Sequence, residues 1–157
     1  MKRHLAALAV LAAVLFAASP AQAQRVPGAL GAGGQVGNPS GVTVKIYNPN
    51  TVSFDFLAAW NRDDFLFLNV HGQYAQPIEL ANVSGLEYFF GPGVFVGVQD
   101  LGEGNDNDVT FGLSARGGVN IPIVDRFEMY AQLTPRISLS PSTEGGLGVG
   151  VGVRYYF

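Results

Sequence analysis

From Leu147 to Phe157 every odd position is apolar: Leu147, Val149, Val151, Val153, Tyr155 and Phe157. The even positions hold Gly148, Gly150, Gly152, Arg154 and Tyr156. A strict period of two is the spacing of a β-strand, whose successive side chains point to opposite faces. One face of this stretch is an unbroken apolar ribbon; the other is glycine, one arginine and one tyrosine. The same alternation recurs upstream. Val42, Val44 and Ile46 oppose Thr43, Lys45 and Tyr47, and Val52, Phe54, Phe56, Ala58 and Trp60 oppose Ser53, Asp55, Leu57 and Ala59. Residues 65–68 are apolar on both sides, so the phase there is set by the second half of the run, where Val70 and Tyr74 oppose Asn69, His71 and Gln73.

Leu86, Tyr88, Phe90, Val94, Val96 and Val98 share a face of a fifth strand. Pro92 interrupts that strand without an amide hydrogen, which predicts a bulge. Val109, Phe111, Leu113, Ala115, Val119 and Ile121 mark a sixth strand, and Phe127, Met129, Ala131 and Leu133 a seventh, opposite Glu128, Tyr130, Gln132 and Thr134. With an opening strand through Leu30, Ala32 and Val36, the count is eight. The connections between them are short and rich in Pro, Asn, Gly and Ser: 38–41, 48–50, 61–64, 75–85, 100–108, 122–126 and 136–144 around Pro141.

Eight strands of about ten residues joined by hairpin-length connections fit an all-β fold, an eight-stranded antiparallel up-and-down transmembrane β-barrel. In lipid every backbone polar group needs a partner, and a closed barrel supplies one to each. The apolar set across all eight strands contains no charge. Its aromatics, Trp60, Tyr74, Tyr88, Phe90, Phe111 and Phe127, fall near strand ends, where amphipathic rings favour the headgroup level. The opposite set is expected to face the lumen. It holds Lys45, Arg116 and Arg154 against Asp55, Glu87 and Glu128, a balanced set of bases and acids. Buried charges must be paired, so this pattern reads as an interlocked plug. Inward Phe67, Phe89 and Phe95 beside inward glycines would fill the remaining volume.

The first 23 residues stand apart. Lys2, Arg3 and His4 precede an apolar run over 5–18, and Ala21-Gln22-Ala23 supplies the small residues of a cleavage site. That is the pattern of a signal peptide, leaving 24–157 as the barrel. Removing Lys2 and Arg3 takes the nine basic residues to seven against twelve acidic, a net charge of −5. With no basic tract, nucleic-acid binding is not expected. The chain has no cysteine, so in an exported, oxidising compartment stability rests on burial without disulfides.

The chain resembles the small bacterial outer-membrane β-barrels, the eight-stranded kind typified by the membrane domain of outer-membrane protein A and by outer-membrane protein X. The resemblance is carried by Pro39-Ser40-Gly41, by the spacing Pro122, Phe127, Ala131 and Pro135, and by the ending Gly152-Val153-Arg154-Tyr155-Tyr156-Phe157. It implies residence in the outer membrane, lipopolysaccharide as the surrounding lipid, and periplasmic chaperones and barrel-assembly machinery as partners during biogenesis. Tyr155 and Phe157 would then carry the insertion signal. Short outer connections distinguish the chain from adhesins of the group.

The resemblance supplies no activity, cofactor or metal. Lipid A deacylases of this shape pair His-x-Ser on one strand, whereas His71 is followed by Gly72 and Gln73; a hydrogen-bonded lumen histidine is the expectation. Asp100, Glu103, Asp106 and Asp108 lack the spacing of a calcium loop. The expected function is a non-catalytic structural or interaction role in the cell envelope. A narrow channel, an envelope-lipid-modifying enzyme and a soluble periplasmic binder are the alternatives.

Overall fold

The computed structural model describes residues 26–60, 65–79, 85–99, 108–124 and 126–157; the expected signal peptide and the polar stretches 61–64 and 100–107 lie outside them. Eight strands follow one another: β1 (Leu30–Asn38), β2 (Gly41–Ile46), β3 (Ser53–Trp60), β4 (Phe65–Pro77), β5 (Glu87–Gln99), β6 (Asp108–Val124), β7 (Phe127–Ser140) and β8 (Gly145–Tyr156). Each pairs antiparallel with the next, and β8 pairs with β1 to close the barrel. The seam is long, running from Gly31↔Tyr156 to Asn38↔Val149. Closure leaves no sheet edge with unpaired amides and carbonyls.

The side chains divide as the period of two requires. Val42, Phe54, Phe56, Leu68, Val94, Leu113, Leu133, Val149 and Val153 all stand exposed on the outer wall. Among the described strand residues that wall carries no ionisable group other than tyrosine. In β5 the outward apolar set runs from Tyr88 to Val98; at about 3.3 Å per residue and a tilt of about 40° this spans about 25 Å, the height of a lipid-facing band. The β4 phase set by its second half holds throughout, with Phe67, Asn69, His71 and Gln73 buried inside.

Small inward residues make room for large ones. A Cβ on Gly118 would lie 2.7 Å from the Phe89 ring, one on Gly112 2.7 Å from Phe95, one on Gly31 2.7 Å from Tyr156, and one on Gly152 2.4 Å from Tyr130. Inward glycine is thus the partner of inward aromatic, the packing that an eight-stranded lumen needs.

Four expectations are corrected. The connection expected over 136–144 is mostly strand, because β7 continues to Ser140. The paired residues of β6 and β7 step from Ser114↔Arg136 to Gly117↔Leu133, so Pro135 sits where the ladder asks nothing of it. Similarly, β6 runs to Val124 and β4 to Pro77, shortening the turns expected there.

Pro92 makes no bulge. Its ring faces out, it stays in register opposite Ala115, and on the other side the register is the same at His71↔Gly93 and Tyr74↔Phe90. The missing amide is absorbed by a skipped stretch of ladder, without an added residue. Register shifts occur instead in the β6–β7 pairing, near Phe111 and near Pro122.

At the skipped stretch the two backbones come close: a Cβ on Gly91 would lie 1.7 Å from the Gly72 carbonyl oxygen. Gly91→Ala is therefore expected to lower stability by about 1–3 kcal/mol, read as a lower urea midpoint of the refolded protein in micelles. Gly145→Ala, where a Cβ meets nothing within 4 Å, leaves the midpoint unchanged.

Candidate functional site

The centre of the lumen is built from alternate positions of six strands. Asp55 on β3 is fully buried, and its two oxygens take two guanidiniums from across the barrel. Arg116 on β6 donates through Nη1 to Oδ1 at 2.5 Å, and Arg154 on β8 donates through Nη2 to Oδ2. Arg154 also donates through Nη1 to Glu128 Oε1 at 3.0 Å, a carboxylate directly opposite it in the β7–β8 register. Its guanidinium carbon lies 3.8 Å from the centre of the Tyr130 ring, a cation–π contact.

Hydroxyls take up further donors and acceptors of this cluster, and an amide pair lies beside it. Arg154 Nε donates to Thr43 Oγ1 and Arg116 Nε to Thr134 Oγ1, both at 3.3 Å. Tyr156 donates to Glu128 Oε2 at 3.1 Å. Gln132 Nε2 donates to Gln35 Oε1 at 2.6 Å, and Gln35 Nε2 donates to the carbonyl of Pro39 at 2.8 Å. Two carboxylates and two guanidiniums thus form one neutral cluster that ties β3, β6, β7 and β8 together.

The other two sequence-derived lumen charges lie nearer the terminal end. Lys45 stands opposite Asp55 in the β2–β3 register, with its ammonium 5.3 Å from the Phe89 ring centre and 5.9 Å from that of Tyr47. Glu87 is half-buried and accepts from the Tyr47 hydroxyl at 2.8 Å and from Asn120 Nδ2 at 3.5 Å. All six residues face inward.

His71 is buried, and its Nε2 lies 2.9 Å from Ser114 Oγ, a pairing across 43 positions of sequence. The geometry is that of a base beside a hydroxyl. A nucleophilic serine also needs an orienting group on its base and access for substrate. Among the described residues His71 Nδ1 has no hydrogen-bond partner, and Ser114 is only 8 % exposed. The pair joins β4 to β6 inside the plug. Among the described residues no cluster of His, Cys, Asp and Glu has the makings of a metal site.

On the outer wall, Tyr74, Phe90, Tyr88, Phe127, Tyr155 and Phe157 gather toward the end that carries the termini. Phe127–Tyr155 and Tyr155–Phe157 are edge-on contacts at 5.1 Å, and Tyr74–Phe90 lies at 6.2 Å. Arg126 donates to the Tyr155 hydroxyl at 2.9 Å. Trp60 and Phe111 stand exposed toward the opposite end.

Sequence reasoning missed one inward charge, Arg136, because it lay in a stretch read as connection. On β7 it points into the loop-side mouth, its guanidinium carbon 5.4 Å from the Phe67 ring centre. The available signal was the continued alternation of Leu133, Pro135, Ile137 and Leu139 against Thr134, Arg136 and Ser138.

Removing Asp55 leaves two buried guanidiniums without their shared acceptor. Asp55→Ala is expected to cost about 3–5 kcal/mol, whereas Arg116→Met, which leaves Asp55 bound to Arg154, costs about 1–2 kcal/mol. Urea unfolding of the refolded variants, followed by gel mobility, ranks the two; equal losses would contradict Asp55 as the shared centre.

No protein-family model and no curated protein matches the chain. Among solved structures, the N-terminal β-barrel domain of Pseudomonas aeruginosa OprF superposes with a TM-score of 0.60 at 13% identity, covering 82% of this chain and 96% of that one. Neisserial surface protein A (NspA) superposes with a TM-score of 0.50 at 16% identity, covering 82% of this chain and 94% of that one. At these identities the likeness carries the fold: the chain is a small, closed, eight-stranded antiparallel β-barrel structurally like those two proteins.

Proposed function

We propose that the chain is an integral bacterial outer-membrane barrel whose lumen is closed by its own ion pairs, with a structural or interaction role in the cell envelope and no catalysis. One observation carries this reading. The described outer wall is a continuous belt of exposed valine, leucine, isoleucine and phenylalanine, while Lys45, Asp55, Arg116, Glu128 and Arg154 are all buried within. Soluble monomers rarely expose apolar patches beyond a few hundred Å², and water would favour the reverse arrangement. Lipid favours this one, since a charge at the bilayer midplane costs about 2–4 kcal/mol on a barrel wall.

The orientation that fits this reading puts both termini in the periplasm and the β1–β2 and β7–β8 turns outside. Aromatic rings at the two ends then sit at headgroup depth, and lipopolysaccharide surrounds the outer leaflet half. The likeness to OprF and NspA supports the same location.

A plugged barrel and a narrow channel part on two measurements. The protein is expected to stay with the membrane pellet after alkaline carbonate extraction and to give no steady conductance in a planar bilayer. Release into the supernatant would overturn the membrane assignment. A steady wild-type conductance that grows in Arg116→Ala would overturn the plug and favour the channel.

A further inference from the structure

The apolar belt on the outer wall is not of one height. On β2 the outward apolar residues run only from Val42 to Ile46, and on β3 from Phe54 to Trp60. On β7 they run from Phe127 to Leu139, and on β6 from Val109 to Ile123. At about 3.3 Å per residue and a tilt of about 40°, the belt is about 10 Å tall at β2, about 15 Å at β3, about 30 Å at β7 and about 35 Å at β6. In the closed order β2 and β6 lie four strands apart in either direction. The shortest and tallest parts of the belt therefore stand on opposite sides of the barrel.

The deficit falls at the turn end. At the terminal end the short side is tied to the aromatic rim: Phe157 donates its amide to the Leu30 carbonyl at 3.0 Å, and Leu30 stands opposite Ile46. At the other end β1 passes into the turn Asn38-Pro39-Ser40-Gly41, where Asn38 and Ser40 are exposed and the Ser40 hydroxyl is shared with Gly37. Both edges of this side lie within the described residues 26–60. The tall side is no projection into water, because Val109, Phe111 and Leu139 keep it apolar up to its end.

A lipid-facing band of about 25 Å fits β5. Carried round to β2 at the same height, it would bury the β1–β2 turn, whose Ser40 stands six residues from Ile46, about 15 Å above the belt's terminal edge. Irregular backbone exposed to lipid does not occur in hydrocarbon, where its polar groups lack partners. A bilayer meets a short apolar span by thinning. We propose that the barrel thins the outer leaflet over β1–β3, and that this side is a docking surface for lipid headgroups, which descend about 10 Å to meet the turn. The inference rests on the membrane reading and orientation given above.

The chain has no cysteine, so Ser40→Cys, Val94→Cys and Ile46→Cys each carry one fluorophore after refolding into dioleoylphosphatidylcholine vesicles. Val94 is six residues from Tyr88, as Ser40 is from Ile46, so these two labels share a height. Quenching is read from phosphatidylcholine bearing a nitroxide on the headgroup or at mid-chain. The Val94 label is expected to be quenched about threefold more by the chain nitroxide, and the Ser40 and Ile46 labels about threefold more by the headgroup nitroxide. Heat-dependent gel mobility reports barrel closure; Leu133→Cys, six residues from Phe127, and Asn38→Cys stand in for a Val94 or Ser40 variant that does not close.

Chain preference at both Ser40 and Val94 means a level band and overturns the proposal. Chain preference at Ile46 means that the barrel tilts to lift its short side, and overturns it also. A Ser40 label shielded from both nitroxides, or Ser40→Cys chains that join as disulfide dimers, overturns it in favour of protein cover. Quenching of the Val94 label by aqueous iodide is a separate result, which overturns the membrane reading itself.

Discussion

One carboxylate shared by two guanidiniums is the arrangement on which the barrel's interior depends. Asp55 reaches across from β3 and is met by Arg116 from β6 and Arg154 from β8. Each ion, alone, would cost several kcal/mol to take out of water. Together with Glu128 the cluster sums to zero, and hydroxyls from Thr43, Thr134 and Tyr156 take up remaining valences. The alternation of the strands forces this solution. A wall whose outer face is wholly apolar must send every ionised strand residue inward, and inside they have only one another.

The second constraint is volume. Eight strands enclose a space that side chains can just fill, and here the filling is done by pairs of unequal partners. Tyr130 lies against Gly152, Phe89 against Gly118 and Phe95 against Gly112, each too close for a Cβ on the glycine. Glycine in a strand is otherwise unfavourable, and its scatter along the chain has this local cause. The same rings serve electrostatics: Tyr130 lies under Arg154, and Phe89 under Lys45. Packing and charge are thus satisfied by one set of side chains.

Period-two alternation was enough to place eight strands, their phase and the six lumen charges, because in a barrel wall the pattern has a single physical source. It failed where proline intervened. Pro92 suggested a bulge and the run after Pro135 was read as a connection, yet on one side of each proline the ladder skips a stretch where no amide hydrogen is required. Whether a proline's missing donor matters depends on which neighbour its amide would have faced, and that is a property of register. The pairing of His71 with Ser114 was hidden for the same reason. Their approach follows from His71↔Gly93 and Gly93↔Ser114, two registers in succession, and no local pattern encodes that sum.

Depth along the lumen decides how each cation is treated. Thr134 and Arg136 are successive inward positions on β7. At the level of Thr134, Arg116 is 2 % exposed and held by Asp55. One inward step toward the mouth, Arg136 is half-buried and rests on an aromatic face. Where water reaches a guanidinium its desolvation is partial and an ion pair adds little; where water is excluded, a missing partner is destabilising by several kcal/mol. The stacked Phe67 and Phe95 rings lie at this level, so along β7 the interior passes from guanidiniums paired with carboxylate to one that rests on a ring.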